Sequence, residues 1–355
     1  MRKFSRDLLE YYDKYRRILP WREEPSPYGT WVSEIMLQQT RVDTVITYYK
    51  EFIKELPTIK DLAACPEDKL LKLWQGLGYY SRVRNMKKAA IQIMEDFQGQ
   101  LPETKKELES LSGIGPYTAG AISSMAFNQK ETCIDGNFLR VMSRILAQPG
   151  DPRKKENFKR IEEETFHRMS DTRPGDFNQA MMDVGATICL PNGQPKCESC
   201  PLKTHCKAFE EGDVLKYPEK KKKLKRRRED YHVLLLKQGN RILLEKRSKK
   251  GVLKGLWGFP MVDLGDESFK DKLKDLYGPL EIKVHKKSKH IFSHIEWHME
   301  SYVVEIPQDQ VAEDLTPYIE ERVWATRKDI EEIYSIPTAF KPFLKDFMEE
   351  ESHEL

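Results

Sequence analysis

No stretch of about eighteen apolar residues occurs in this 355-residue chain, so nothing in it is suited to span a bilayer as a helix. The first segment, MRKFSRDLLEYYDKYRR, lacks the continuous apolar run of a secretory leader, and a cytoplasmic protein is expected. Internal repeats are missing too. Charge is nearly balanced, with 60 Lys and Arg against 57 Asp and Glu, so the net +3 is uninformative and only the distribution of charge can point to a polyanion. Cysteine is scarce, at six residues, and in a reducing compartment a disulfide framework is not expected. Yet four of those six fall within CLPNGQPKCESCPLKTHC, Cys189 to Cys206, and that concentration needs a reason.

Hydrophobic residues at 39% and aromatics at 10% fit a globular protein, and the length allows two domains. From Met1 to about Asp213 apolar residues recur at helical spacing, broken by Pro and Gly. The first helix carries Phe4, Leu8, Leu9, Tyr12 and Tyr15 on one side. The run GTWVSEIMLQQTRVDTVITYYKEFIKEL predicts one long helix, ended by Pro57. PEDKLLKLWQGLGYYSRVRNMKKAAIQIMEDF predicts a helix, a glycine-flanked turn and a second helix. Residues 216–228, KYPEKKKKLKRRR, hold nine Lys or Arg in thirteen positions. That is either a solvated, self-repelling linker or one that also lies along a polyanion. Beyond it, YHVLLLK (231–237) and RILLEKR (241–247) flank the turn QGN as a hairpin. GLWGFPMVDL, a helix near 266–277 and the strand HMESYVVEI complete an α+β half.

The cysteine spacing is C-x7-C-x2-C-x5-C. Two thiolates two residues apart can share a metal centre, and the flanking pair completes a four-sulfur shell open to zinc or a [4Fe–4S] cluster. Lys196, Lys203 and His205 lie in or beside this loop and either meet a phosphate or are ordinary solvated side chains. Upstream, LESLSGIGPYTAGAISSMAF (108–127) reads as helix, Gly113-Ile114-Gly115-Pro116, helix. Two glycines permit a sharp turn and close backbone approach, and the second helix's N-terminus offers unpaired N–H groups to a DNA phosphate. In CIDGNFLRVMSRIL, Asp135 precedes a helix and suits an N-cap.

Four features in order, WVSEIMLQQTRV, GLGYYSRVRN, LSGIGPYTAGAI with IDGN, and the cysteine cluster, closely resemble the helix-hairpin-helix DNA glycosylase superfamily, and within it the MutY-type adenine DNA glycosylases. The resemblance implies a multidomain protein. An all-α glycosylase domain with an iron–sulfur module spans 1–213, a basic linker 214–230, and an α+β Nudix-like domain 231–355. It implies a [4Fe–4S] cluster on Cys189, Cys197, Cys200 and Cys206, although the family has six residues where this chain has seven between the first two. The implied activity is hydrolysis of the N-glycosidic bond of adenine opposite 8-oxoguanine in duplex DNA, by a monomer without a membrane partner.

By the same resemblance Glu34 is the acid that protonates the leaving adenine. Asp135 stabilises or attacks the cationic sugar, and Tyr117 and Asn137 support the two carboxylates. Without the family, Glu34 could equally lie exposed between two buried helix positions. Bifunctional relatives resemble GxGxKTA and use that lysine as a Schiff base, whereas GIGPYTA has Tyr117 there, which implies a monofunctional enzyme. Gln39 and Tyr79 match residues that wedge into the duplex; Trp21, Arg22, Leu37 and Gln179 match the pocket for the extruded base. Gln179 stands where some members carry Glu. Gly113 and Gly115 would meet the DNA backbone.

In the C-terminal half, GLWGFPMVDLGDESFKDKLKDLYG lacks the Glu-rich helix that a hydrolytic Nudix protein needs, so recognition rather than hydrolysis is expected. Phe292, Ser293 and His294 match the loop that reads 8-oxoguanine, whose added N7–H turns an acceptor edge into a donor. Two alternatives stand beside this reading: an endonuclease III-like lyase on oxidised pyrimidines, and a DNA-binding protein without catalysis.

Overall fold

The computed structural model describes residues 2–219, 225–248, 251–307 and 321–349; positions 220–224 of the basic linker lie outside the described residues. Two compact units result: Met1–Cys65 with Ser81–Lys222, and Pro66–Tyr80 with Lys223–Leu355.

The first unit is helical. Its chain runs through α1 (Lys3–Tyr15), α2 (Pro20–Glu23), α3 (Pro27–Leu37), α4 (Val42–Glu55) and α5 (Ile59–Ala64). After α6 (Glu67–Leu73), which belongs to the second unit, come α7 (Ser81–Asp96), α8 (Lys105–Glu109), α9 (Pro116–Phe127) and α10 (Gly136–Ile145). Then follow α11 (Lys155–Arg168), α12 (Pro174–Thr187) and the short α13 (Lys207–Glu210). The stripe Phe4, Leu8 and Tyr12 of α1 packs with Phe138, Met142, Phe177 and Met181 of α10 and α12 in one core. Tyr15 departs from the expected stripe: it is 56% exposed, its ring beside that of Tyr11.

The long helix expected from Gly29 to Leu56 is two helices. α3 stops at Leu37, Gln38 leaves helical geometry, Gln39 takes φ +58°, and α4 starts at Val42. The cause lies 44 to 47 residues away in sequence, where the buried Arg82 guanidinium donates to the carbonyls of Ile35, Met36 and Gln38 at 2.7, 2.9 and 2.7 Å. Those are acceptors that a continuing helix would have filled with its own N–H groups. At the other end of α3, Ser26 Oγ accepts from Gly29 N at 2.9 Å and Pro27 occupies the first turn. Every residue from Gly29 to Met36 is buried, so α3 is a core helix.

The helical hairpin forms as expected. Gly113 has φ +77°, and a Cβ there would lie 2.5 Å from that of Asn85. Farther along, a Cβ on Gly120 would come within 2.1 Å of the Thr132 carbonyl, so glycine lets the strand-like approach to Asp135 lie flat on α9.

Among the described residues, the second unit is a seven-stranded sheet with helices on it. Its strands are β1 (Arg227–Gln238), β2 (Arg241–Lys246), β3 (Trp257–Gly258), β4 (Met261–Asp263), β5 (Ile282–Ile291), β6 (Ile295–Glu305) and β7 (Arg322–Thr326). The central order is β3-β2-β1-β6-β5, with β4 on β1 and β7 on β2; among these described pairs only β1 and β6 run parallel. The hairpin expected across QGN is present, Gln238 facing Arg241. The apolar run of β1 is covered on both faces: Val233 and Leu235 enter one core with Trp257 and Phe340, Leu234 and Leu236 another with Phe269 and Tyr302. The remaining helices are α14 (Phe269–Tyr277), α15 (Arg327–Glu332) and α16 (Lys341–Glu349). Residues 66–80 join this unit through long-range bonds: Lys72 Nζ donates to the Ile330 carbonyl at 2.8 Å and Ser335 Oγ to that of Leu71 at 3.2 Å.

Candidate active site

Because α3 is buried all round, its one acid is buried with it. Glu34 is 4% exposed and accepts a hydrogen bond from the Tyr117 hydroxyl on Oε2 at 2.8 Å. Burial pushes its pKa up to about 7; the bond from Tyr117 opposes this, nearby Asp135 adds to it, and Arg22 opposes it. A carboxyl half protonated near neutrality can serve as a proton donor. Tyr117, on the first turn of α9, is itself held protonated by burial, its own pKa far above the ordinary value.

Asp135 is the N-cap of α10, as its sequence context suggested. Its Oδ1 accepts from Phe138 N at 2.6 Å and its Oδ2 from Asn137 Nδ2 at 3.0 Å. Asn137 Oδ1 in turn accepts from Arg140 Nη1 at 3.0 Å, and Arg140 Nε donates to the Cys189 carbonyl at 2.9 Å. One file of side chains therefore runs from the first cysteine of the loop to the second carboxylate.

Trp21, Arg22, Leu37 and Gln179 line one cavity of about 240 Å³ that also has Glu34 in its wall. Two arginines reach it from the α1–α2 loop and α2, and neither is loose. Asp183, 1% exposed on α12, accepts from Arg17 Nε at 2.6 Å and from Arg22 Nη1 and Nη2 at 2.8 and 3.1 Å. Sequence reading passed over Asp183 and Arg140. Their one local signal is spacing, Asp183 lying four residues beyond Gln179 on α12 and Arg140 three beyond Asn137 on α10.

The four loop cysteines line a second, apolar cavity with Ile188, Leu202 and Phe209. Among the described residues no three His, Cys, Asp or Glu close on a single point as one ion would require. Arg144 ties the loop to α10, its Nη1 3.1 Å from Cys189 Sγ and its Nε donating to the Tyr217 carbonyl at 3.0 Å. Four thiol donors around an apolar space fit a four-thiolate metal centre, whether one zinc or an inorganic cluster.

Gln39 is exposed on its left-handed turn in the first unit, and Gly113 and Gly115 precede α9, where a Cβ on Gly115 would meet nothing within 4 Å. In the second unit, Tyr79, also at positive φ (+47°), pairs with Ser293 through their hydroxyls at 2.7 Å. Phe292 is held between the rings of His290 and Trp297, centroids 4.5 and 4.9 Å away, which leaves Ser293 and His294 exposed at the tip between β5 and β6. Residues 79 and 293, 214 apart in sequence, are thus neighbours.

Comparison with known proteins agrees with this architecture. Residues 32–165 match the HhH-GPD superfamily of base excision DNA repair proteins, and residues 231–346 match the NUDIX domain. Adenine DNA glycosylases of Buchnera aphidicola (Baizongia pistaciae) and of rat are 39% and 32% identical to the chain, over 82% and 98% of it and 83% and 78% of their own lengths. A third, from Buchnera aphidicola (Acyrthosiphon pisum), is 33% identical over 97% of both chains. Among solved structures, a thermostable thymine-DNA glycosylase superposes on 59% of this chain and 95% of its own with a TM-score of 0.54 at 29% identity. A non-covalent endonuclease III–DNA complex shares the fold over 59% of this chain and 94% of its own, with a TM-score of 0.50 at 20% identity. The chain belongs to the adenine DNA glycosylase family of the HhH-GPD superfamily, with a NUDIX domain after the helical one.

Proposed function

We propose that this enzyme removes adenine mispaired with 8-oxoguanine, or with guanine, from duplex DNA as a monofunctional glycosylase, acting as a cytoplasmic monomer that is nucleoid-associated if the source is bacterial. The observation that carries the reading is the buried Glu34, bonded by Tyr117, in the wall of a cavity also lined by Trp21, Arg22, Leu37 and Gln179. An adenine turned out of the helix enters that cavity. Glu34, whose acid form burial favours, donates to a ring nitrogen and makes the base a competent leaving group. Asp135, held by Phe138 N and Asn137, faces the positive charge that grows on the sugar, as an electrostatic partner or a nucleophile. Gln39 and Tyr79 fill the vacated stack, Gly113 and Gly115 present backbone N–H groups to a phosphate, and Phe292, Ser293 and His294 read the opposing base. Tyr117 cannot form a Schiff base, so strand breaks should appear only after alkali.

The test is single-turnover adenine release from duplexes with adenine opposite 8-oxoguanine and opposite guanine, beside an oxidised-pyrimidine duplex, with breaks scored before and after alkali. Fast adenine loss with alkali-dependent breaks is the expected result; breaks without alkali on the pyrimidine duplex would assign the lyase chemistry instead. Release should also fall as pH rises through about 7, because the acid form of Glu34 is the working one and is lost in that direction.

Cys189, Cys197, Cys200 and Cys206 would hold a [4Fe–4S] cluster, supported by the four-thiol set and the apolar cavity between them. Bound there, the cluster cross-links the loop and holds its shape. Purified protein is expected to carry about four iron and four sulfide per chain. Cys200→Ala should lose iron and melt at lower temperature, and about one zinc per chain with no sulfide would replace this assignment.

A further inference from the structure

Gln39 presents a conformational problem. A non-glycine residue at φ +58° on the outside of the molecule gains nothing from burial to offset its backbone strain, and glycine is the ordinary occupant of such a position after a helix. The chain nevertheless keeps an amide side chain there, and its neighbours are held on both sides. Arg82 Nη1 takes the carbonyls of Ile35, Met36 and Gln38, and its Nη2 lies 3.3 Å from Thr40 Oγ1. The Gln38 amide donates to Thr118 Oγ1 on α9 at 3.3 Å, and Thr40 N donates to the Leu37 carbonyl at 3.3 Å. Arg82 is 8% exposed, and its Nη1 meets three peptide carbonyls.

We propose that Arg82 is a positioning residue that holds the Gln39 turn in its left-handed form and so aims the Gln39 side chain into the duplex. The proposal rests on the wedge role of Gln39 given above. A planar guanidinium suits the task, since its donors fan out in one rigid plane and meet several carbonyls and a hydroxyl at once, which a single ammonium point charge does not.

A double-mutant cycle separates this from a general packing role. The readout is extrusion of the target base, followed by the fluorescence of 2-aminopurine placed next to the target adenine, together with single-turnover release. Gln39→Ala and Arg82→Gln are each expected to slow extrusion about tenfold, and the double variant no more than the slower single, where independent roles would multiply to about a hundredfold. Arg82→Lys should recover only part of the loss. Because Arg82→Gln can fail to fold, Thr40→Val carries the same test from the other side of the turn, and it too should add nothing to Gln39→Ala. Gln39→Gly should raise the melting temperature by roughly 2 °C, as relief of strain, while extruding as poorly as Gln39→Ala. Multiplicative losses in both cycles would overturn the role of Arg82 and leave the wedge standing. Normal extrusion by Gln39→Ala would instead remove the wedge reading itself, and this inference with it.

Discussion

Glu34→Gln is expected to reduce adenine release by at least about 10²–10⁴-fold while leaving duplex binding close to that of the parent. Glutamine keeps the shape and can still accept the hydrogen bond of Tyr117, but it has no proton to give. The same substitution should stabilise the protein at alkaline pH, and the sign follows from the direction of the shift. Burial raises the folded-state pKa of Glu34 from 4.5 to about 7. Between those values the unfolded chain ionises freely and the folded one does not, so stability present below about 4.5 is lost as pH rises through about 7. Above pH 7 the buried acid therefore costs on the order of 3 kcal/mol, which Gln removes. Melting curves at pH 4 and pH 8 check this: the variant should melt higher than the parent at pH 8 and equal to it at pH 4. A variant that releases adenine normally would show that Glu34 is a buried acid without a catalytic task.

Asp135→Asn should separate the two duties of the second carboxylate. Asparagine caps a helix about as well as aspartate, so the bond to Phe138 N survives and melting should change little. The negative charge proposed to face the sugar is gone, and release is expected to fall about 10²–10³-fold. Asp135→Ala should lose the same activity and a further ~1 kcal/mol of stability, because the first turn of α10 then lacks its acceptor. Full activity in Asp135→Asn would leave the residue a cap and nothing more. Single-turnover release and thermal melting on the three proteins distinguish these outcomes.

Much of the architecture was readable along the chain. Gly113-Ile114-Gly115-Pro116 between apolar helical runs is a local signal, because the turn needs positive φ at Gly113 and proline suits the first turn of α9. The β1–β2 hairpin was local too, as was the cap at Asp135. The break between α3 and α4 was not: the sequence there has helical periodicity without Gly or Pro, and what stops the helix is a guanidinium from α7. Nor could the pattern show residues 66–80 packing with the sheet, since its bonds to Ile330 and Ser335 cross more than 250 positions.

By itself the sequence determined the inventory: which chemical groups exist, how closely the cysteines are spaced, that position 117 is a phenol rather than an amine, and that no Glu-rich metal helix follows Gly255. The tertiary structure alone decided what those groups can do. Glu34 could have been an exposed helix acid with an ordinary pKa; its pKa rises to about 7 because α3 is enclosed, against the opposing pull of a hydroxyl 83 positions away. Desolvation and strain are properties of surroundings, and surroundings are assembled from residues far apart in the chain. Composition and spacing name the parts; enclosure sets their energies.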